Sequence, residues 1–492
     1  MTTTTEPGTT RWEAVIGLEV HVELSTATKM FCGCSTDFGG APNTRVCPVC
    51  LGQPGTLPVT NRTAVEYAIR LGLALGCEVA PSSQFHRKNN FYPDMPKNYQ
   101  IYQYDVPICT GGALEVPTDD GPKRVGITRV HMEEDTGKTL HVGESGRIHG
   151  AHHSLVDYNR AGIPLLEVVS EPDIRTADEA RAYLAELRAI VLALGISDAK
   201  LEEGSMRCDA NVSIRPRGTA ELTTRAEVKN LNSLRSLRRA VEYEIERQIA
   251  VVEGGGDVVQ ETRHWDEQGG RTHTLRTKET TEDYRYFPDP DLVPVEPEPA
   301  WIADIGLGLP ELPAVVRARL VEEHGLSAAQ VRTLADAGLV PVLEAAVEAG
   351  APADEAANWL ANEVVGWAGE RDVDPAATAL TGSHLADLIA LTRDGTLSKK
   401  LGREVLAAVL AGAGSPRAIV AERGLEQLSD ADELGRICDE VIADNAAAAE
   451  QVRQGNDRAI GALVGGVMRA TQGKANPQLV NELLRERLGR DG

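Results

Sequence analysis

Gly17-Leu18-Glu19-Val20-His21-Val22-Glu23-Leu24 alternates apolar and polar side chains with a period of two. That is the pattern of a β-strand with two unlike faces: Leu18, Val20, Val22 and Leu24 on one, Glu19, His21 and Glu23 on the other. A carboxylate, an imidazole and a second carboxylate in a row offer a surface for a hard metal ion or for acid–base chemistry. The same pattern also suits the solvated outer face of a two-layer sheet. Directly downstream come Cys32-x-Cys34, twelve residues, then Cys47-x-x-Cys50. Two close cysteine pairs on a short loop can close a tetrahedral thiolate cage around one Zn²⁺. Set between this strand and the loop Asn90-Phe91-Tyr92-Pro93-Asp94-Met95-Pro96-Lys97-Asn98-Tyr99-Gln100, the cage reads as a brace within a site.

Outward from this strand, 125–134, 163–170, 206–215 and 223–230 also read as strands. Residues 61–76 and 233–253 carry helical apolar spacing. Thr176-x-x-Glu179 is a capping box that opens a helix to about Leu194. The mixture predicts an α+β domain built on a largely antiparallel sheet. Composition shifts near residue 300. Eighteen of the twenty aromatic residues lie at or before Trp301. Pro288, Pro290, Pro294, Pro297, Pro299, Pro310 and Pro313 read as a stiff linker. Beyond it the chain is rich in Ala, Leu, Glu and Arg and reads as helical, with Ser327-x-x-Gln330 as a start and Gly338 and Gly350 as stops. A second shift at Gly412-Ala413-Gly414-Ser415-Pro416 sets off a small helical module. The expected parts are a frayed 1–10, a domain over 11–300, a helical domain over 301–414 and a tail over 415–492.

The 492 residues carry a formal net charge of −23. That argues against a general nucleic-acid coat or a binder of anionic membranes, both of which need a positive field. No apolar run is long enough to span a bilayer, and the polar start Met1-Thr2-Thr3-Thr4 reads as the terminus of a cytoplasmic protein. RNA contact would need local basic patches. In the tail only 453–487 is locally basic, through Arg453, Arg458, Arg469, Lys474, Arg485 and Arg487.

Strand parity sorts the remaining candidates. In 206–215, Arg207, Asp209, Asn211, Ser213 and Arg215 share one face, and Arg225, Glu227 and Lys229 form another polar row. Interleaved acids and bases suit phosphates held with Mg²⁺, although a surface salt-bridge lattice would look the same. His131-Met132-Glu133-Glu134-Asp135 ends a strand with three acids, which implies a bound cation or an open turn. Glu167 lies inside an apolar run and needs a partner or a metal. The loop 89–104 and the stretch Tyr284-Arg285-Tyr286-Phe287 are dense in aromatics. They can stack on a base and receive an aminoacyl end, or simply pack as turns. The chain has no Gly-x4-Gly-Lys-Ser/Thr loop, no Gly-x-Gly-x-x-Gly turn and no Gly-x-Ser-x-Gly elbow. A nucleotide would therefore sit on a sheet face, and a serine nucleophile is not indicated.

Together these segments resemble the GatB family, the B subunits of the bacterial glutamyl-/aspartyl-tRNA amidotransferases. The resemblance runs almost end to end: Gly17–Leu24, the four cysteines, Phe91–Gln100, His131–Lys138, Asp157–Asp173, Met206–Pro216, Glu227–Ser233, Tyr284–Leu292, Ala356–Leu360 and Gly473–Asn481. It implies a cradle domain similar to the glutamine synthetase/guanido kinase fold, then a helical domain and a tail resembling YqeY proteins that contacts tRNA. It implies two protein partners in a heterotrimer: an amidase, the A subunit, which releases ammonia from glutamine, and a small C subunit. The implied substrate is a misacylated Glu-tRNA(Gln) or Asp-tRNA(Asn). ATP would activate the side-chain carboxylate for amidation. The resemblance places Mg²⁺ near Glu19, His21 and Glu134. To these the residue pattern adds Glu167 and Glu227 as further ligands, Asp209 and Asn211 in assistance, and Arg207 and Lys229 facing phosphate. Cys32, Cys34, Cys47 and Cys50 are expected to hold a structural zinc. Two rivals stay open on the residues alone: a zinc-braced RNA-binding or assembly factor without catalysis, and a stand-alone ATP-dependent amide ligase.

Overall fold

All of the opening segment but Leu24 lies within β1 (Trp12–Glu23), a twelve-residue strand inside a broad sheet. The computed structural model describes residues 11–118, 121–143, 150–277, 284–371, 373–425, 431–454, 456–471 and 475–489. The expected frayed 1–10 lies outside them, as do Gly473 and Lys474. The chain divides into two compact units, Met1–Pro313 and Ala314–Gly492.

The strands of the first unit are β1, β2 (Glu78–Val79), β3 (His86–Asn89), β4 (Tyr99–Tyr102), β5 (Cys109–Thr110), β6 (Ala113–Thr118), β7 (Gly121–Glu134), β8 (Lys138–Gly143), β9 (Ala151–Asp157), β10 (Pro164–Ser170), β11 (Met206–Pro216), β12 (Ala226–Lys229), β13 (Glu261–Asp266), β14 (Arg271–Thr277) and β15 (Phe287–Pro288). Among the described residues thirteen of them form one sheet with the main order β14-β13-β12-β11-β1-β10-β7-β4-β3-β15, and β8 and β9 form a separate hairpin. Only β12 and β13 run parallel; the other described pairs are antiparallel. The α+β class with a mostly antiparallel sheet is therefore as the alternating strands predict.

Register follows from burial. Leu18, Val20 and Val22 are fully buried and share a core with Tyr183, Leu187, Leu237 and Val241. Those partners come from two helices, α2 (Ala177–Ala193) and α3 (Leu234–Glu253), which cover one face of the sheet, with α1 (Arg62–Ala74) beside them. A slip of one residue in β1 would turn this apolar set out and bring Glu19 and His21 into the core, so the register is strongly specified. The helix starts are capped by side chains. Asn61, Thr176 and Ser233 each accept a first-turn backbone N–H with their side chains. The Thr176 cap departs from a full capping box. Glu179 accepts instead from the Arg175 N–H at 2.7 Å and pairs with Lys123.

In the second unit every regular element among the described residues is helical. Ser327 and Gln330 form a reciprocal capping box, and Gly338 takes the left-handed conformation that ends the helix. Two separate apolar clusters lie in this unit, one running from Leu320 to Leu425 and one from Leu434 to Leu488. No helix among the described residues is long and apolar enough to cross a membrane.

Truncating the centre of the first core should be costly. Leu18→Ala removes a fully buried side chain between β1 and its helices. The expected loss is about 3 kcal/mol, read as a lower urea midpoint by circular dichroism. A midpoint within experimental error of wild type would contradict this packing.

Candidate active site

Helices cover one face of the sheet; the polar side chains of β1 and its neighbours collect on the other. Across the ladder His21 stands opposite Glu167 of β10 and Arg207 of β11, and Glu19 stands opposite Asp209. One strand further, Glu167 pairs with His131 of β7 and Leu165 with Glu133. Then Tyr102 of β4 pairs with Glu133, and Lys88 of β3 with Gln100. Antiparallel pairing keeps opposed residues on the same face. Residues far apart in sequence thereby line one open cleft of about 750 Å³, which includes Glu19, His21, Glu133, Glu167, Asp209 and Lys229.

At its centre His21 Nε2 lies 3.5 Å from Glu133 Oε1 and 3.5 Å from Glu167 Oε2. His131 Nε2 is 3.1 Å from the same Glu167 oxygen. The donor atoms of His21, Glu133 and Glu167 all lie within 4.8 Å of one another. Burial alone would lower the His21 pKa. The hydrogen bond and charge of Glu167, with the charges of Glu133 and Asp209, outweigh it and raise the group to about 9. Burial raises Glu133. Burial also opposes ionisation of Glu167, but the two histidines hold it well below the usual carboxylate range. Glu19 is raised by burial and by the charges of Glu167, Glu227 and Asp209; the Asn211 amide donates to it at 2.8 Å.

The β11–β12 flank carries Arg207 and Lys229. Lys229 bridges Asp209 and Glu227, the latter at 3.2 Å, and Thr262 donates to the other Glu227 oxygen at 2.8 Å. Arg207 Nη2 reaches Asp135 Oδ2 at 3.0 Å, with Arg160 Nε at 3.4 Å on the same oxygen. Arg207 Nε and Asn211 Oδ1 are buried without a hydrogen-bond partner among the described residues. Glu23, on the same strand face, is pushed up to about 8 by burial and by its hydrogen bond to Asp135.

Of the residues singled out from the sequence, Glu19, His21, Glu167, Arg207, Asp209, Asn211, Glu227 and Lys229 are brought to this face. Glu134 is not. Val130, Met132 and Glu134 alternate onto the opposite side of β7 from His131 and Glu133, so Glu134 points away from His21. Its carboxylate pairs with Lys97 and accepts the Ile101 N–H at 2.9 Å. Glu133 takes the place in the cluster, with Gln100 donating to it at 3.1 Å. Sequence reasoning misses Glu133 and His131 as site residues, although the alternation of Val130 and Met132 already marks the pair's face.

The four cysteines also come together, with their sulfurs within 4.8 Å of one another. The Cys47 N–H donates to Cys50 Sγ at 3.1 Å. The fully buried Lys29 ammonium lies 3.9 Å from Cys50 Sγ while donating to the Arg45 carbonyl at 2.8 Å. The Cys32 hydrogen bond, then the Cys47 N–H and the Lys29 charge, bring the Cys50 thiol down to about 5 against its burial. Four converging sulfurs with a buried cation beside them fit a tetrahedral Zn²⁺. The loop is tied to the sheet at Gly162, whose φ of +89° suits glycine and whose carbonyl accepts the Met30 N–H at 2.8 Å. A Cβ there would approach Lys29, Cys50 and Glu134.

The family model described as the GatB/GatE catalytic domain matches residues 14–303, which hold the cleft and the cysteine loop. A second, described as the GatB domain, matches residues 341–488. A Salinispora tropica protein, named as the B subunit of an aspartyl/glutamyl-tRNA(Asn/Gln) amidotransferase, is 55% identical over 487 residues, covering 98% of this chain and 97% of its own. Proteins of the same name from Thermobifida fusca and Moorella thermoacetica are 55% and 53% identical, covering 98% and 97% of this chain and 95% and 100% of their own. Matched in both units by models of one family, and along nearly its whole length by proteins of one name, the chain belongs to the GatB family, the B subunits of aspartyl/glutamyl-tRNA(Asn/Gln) amidotransferases.

Proposed function

We propose that this chain is the transamidating subunit of a tRNA-dependent amidotransferase. Its cleft is where the side-chain carboxylate of Glu-tRNA(Gln) or Asp-tRNA(Asn) is activated by ATP and converted to an amide. The observation that carries the reading is the His21–Glu133–Glu167 cluster on the floor of an open sheet face, flanked by Arg207 and Lys229.

A carboxylate is a poor electrophile. Its oxygen must first take the γ-phosphoryl group of ATP, with ADP leaving. Ammonia then attacks the acyl carbon, phosphate departs with the C–O bond electrons, and the nitrogen loses a proton. Positioning and charge neutralisation do most of such work, because phosphoryl transfer asks for little covalent chemistry from the protein. Two carboxylates and an imidazole fit a divalent cation; Mg²⁺ there would draw charge from the transferring phosphoryl group. His21, Glu133 and Glu167 would hold it, with Glu19, Asp209 and Glu227 close enough to act through water. Lys229 and Arg207 face the cleft as cations, each pre-positioned by acids, and suit phosphate oxygens. The buried floor limits water, which would hydrolyse an activated acyl group.

The remaining assignments follow from the same reading. The sheet with one helix-covered face and one open face supports a cradle of the glutamine synthetase/guanido kinase type over 11–300. A helical domain over 301–414 and a YqeY-like, tRNA-contacting tail over 415–492 complete the reading; two apolar clusters beyond Pro313 support two helical parts, although the first extends past residue 414 to Leu425. An amidase partner, the A subunit, supplies ammonia; a small C subunit makes up the heterotrimer; and the assembly works in the cytoplasm. Cys32, Cys34, Cys47 and Cys50 hold a structural zinc.

Two measurements test this. The chain is combined with candidate amidase and small partner proteins, glutamine, Mg-ATP and each misacylated tRNA, and the released amino acid is analysed. Wild type should form glutamine or asparagine only with Mg-ATP, and Glu167→Gln should lower that rate at least about a hundred-fold while glutamine hydrolysis persists. Amide formation without ATP, or an unimpaired Glu167→Gln, would contradict the reading. Separately, Cys47→Ser should lose the bound zinc seen by atomic absorption and lower the thermal midpoint by several degrees or more. Zinc-free wild type of unchanged stability would refute the brace.

A further inference from the structure

The cleft has a second flank that the phosphoryl chemistry leaves unused. Beyond Glu133 the same sheet face runs on to Tyr102 and Lys88, and there it turns aromatic. Tyr104 and Tyr286 stack with ring centroids 4.2 Å apart and planes within 9°. Tyr102 and Tyr284 each lie 5.9 Å from Tyr286. The Lys88 ammonium stands 5.1 Å from the Tyr102 ring and 5.0 Å from the Tyr284 ring. Arg129 donates to the Tyr102 hydroxyl at 2.9 Å and the Tyr104 carbonyl at 3.2 Å, and its Nε is buried without a partner among the described residues. Tyr102, Tyr284, Lys88 and Arg129 line the same cleft as His21, Glu133 and Glu167. The Tyr102 ring meets His131, which pairs with Glu167, at 4.5 Å.

We infer that this tyrosine platform, with Lys88 and Arg129, seats the 3′-terminal adenosine of the aminoacyl-tRNA. The inference rests on the amidotransferase reading above. An aminoacyl group is esterified to that adenosine, so the base is joined to the reacting carboxylate through the amino acid, the ester and the ribose. The base must therefore rest within the reach of that linkage from the carboxylate cluster, and the platform lines the same cleft. A chain of net charge −23 cannot draw RNA by its overall field, so an end held in the cleft needs stacking and local cations.

The adenine of ATP is the competing occupant, and the charges separate the two. A metal-bridged triphosphate calls for cations interleaved with carboxylates. The opposite flank supplies this, with Lys229 between Asp209 and Glu227 and Arg207 on Asp135. On the aromatic flank the described partners of Arg129 are neutral oxygens, and Lys88 makes no ion pair among the described residues. Cations without acids in direct contact suit the single charge of a phosphodiester between the last nucleotides.

The test is a cycle between protein and tRNA. Binding of full-length uncharged tRNA, and of the same tRNA lacking its terminal adenosine, is measured for the assembled enzyme. Wild type is compared with Tyr284→Leu, Tyr284→Phe and Tyr104→Leu; the last alters a ring already 36% exposed and so spares the fold. Wild type should bind the truncated tRNA roughly ten-fold more weakly. The Leu variants should bind full-length tRNA that much more weakly and be indifferent to truncation. Tyr284→Phe, which keeps the ring, should retain the truncation effect, and the KM for ATP should not move. Leu variants as sensitive to truncation as wild type would overturn the inference, and so would a raised KM for ATP with unchanged tRNA binding. Failure of the wild-type enzyme to bind either tRNA would overturn the amidotransferase reading beneath it.

Discussion

His21 sits 3.5 Å from two buried carboxylates, Glu133 and Glu167, and the rest of the first unit serves to hold it there. Like charges within 4.8 Å repel by roughly 3.5 kcal/mol at an effective dielectric near 20. The two acids therefore need a positive partner. The imidazolium is one, which is why its proton is held up to about 9. A divalent cation at the same place would take over that role and release the proton. Each of the three residues lies on a different strand, so the cluster exists only while β1, β10 and β7 keep their register. The apolar alternation of Leu18, Val20 and Val22 against α2 and α3 specifies that register. Core packing and site geometry are thus two faces of one pattern.

The cleft separates its tasks by charge. Its centre is acidic, one flank interleaves Arg207 and Lys229 with acids, and the other couples Lys88 and Arg129 to aromatic rings. In the function proposed above, this division lets a strongly acidic chain hold polyanions through local cations instead of its overall field. The cysteine loop, in the reading proposed above, adds rigidity rather than chemistry. Through Met30 and Gly162 it is bonded to the segment that leads into β10, and its buried Lys29 offsets the charge that four thiolates would bring.

What can be read from the sequence is what is local. The period of two in 17–24 and 206–215 sorts each face correctly, because a side chain's direction depends only on its own strand. The cysteine spacing is equally local, and it brings the four sulfurs together. The cap at Ser327 follows from its neighbour three residues on, whereas at Thr176 the expected partner Glu179 turns to Arg175 and Lys123. The reading fails where strands must be laid side by side. The acids at 133–135, weighed as a group, single out none of the three, and the resemblance alone points to Glu134; the Val130/Met132 alternation, carried to the end of the strand, selects Glu133 instead. His131 and Tyr102 lie in stretches that the sequence marks for other reasons, and Arg129 lies outside both. Their place beside Glu167 depends on the order β10-β7-β4, which joins residues tens of positions apart and is invisible to periodicity.

The parity of β7 decides the central claim, and divalent-ion binding reads it directly. Mn²⁺ binding to the purified chain, followed by electron paramagnetic resonance, is compared for wild type, Glu133→Gln and Glu134→Gln. The structure predicts one bound Mn²⁺ that Glu133→Gln loses or weakens at least about ten-fold and Glu134→Gln retains. A site lost in Glu134→Gln but intact in Glu133→Gln would contradict the account.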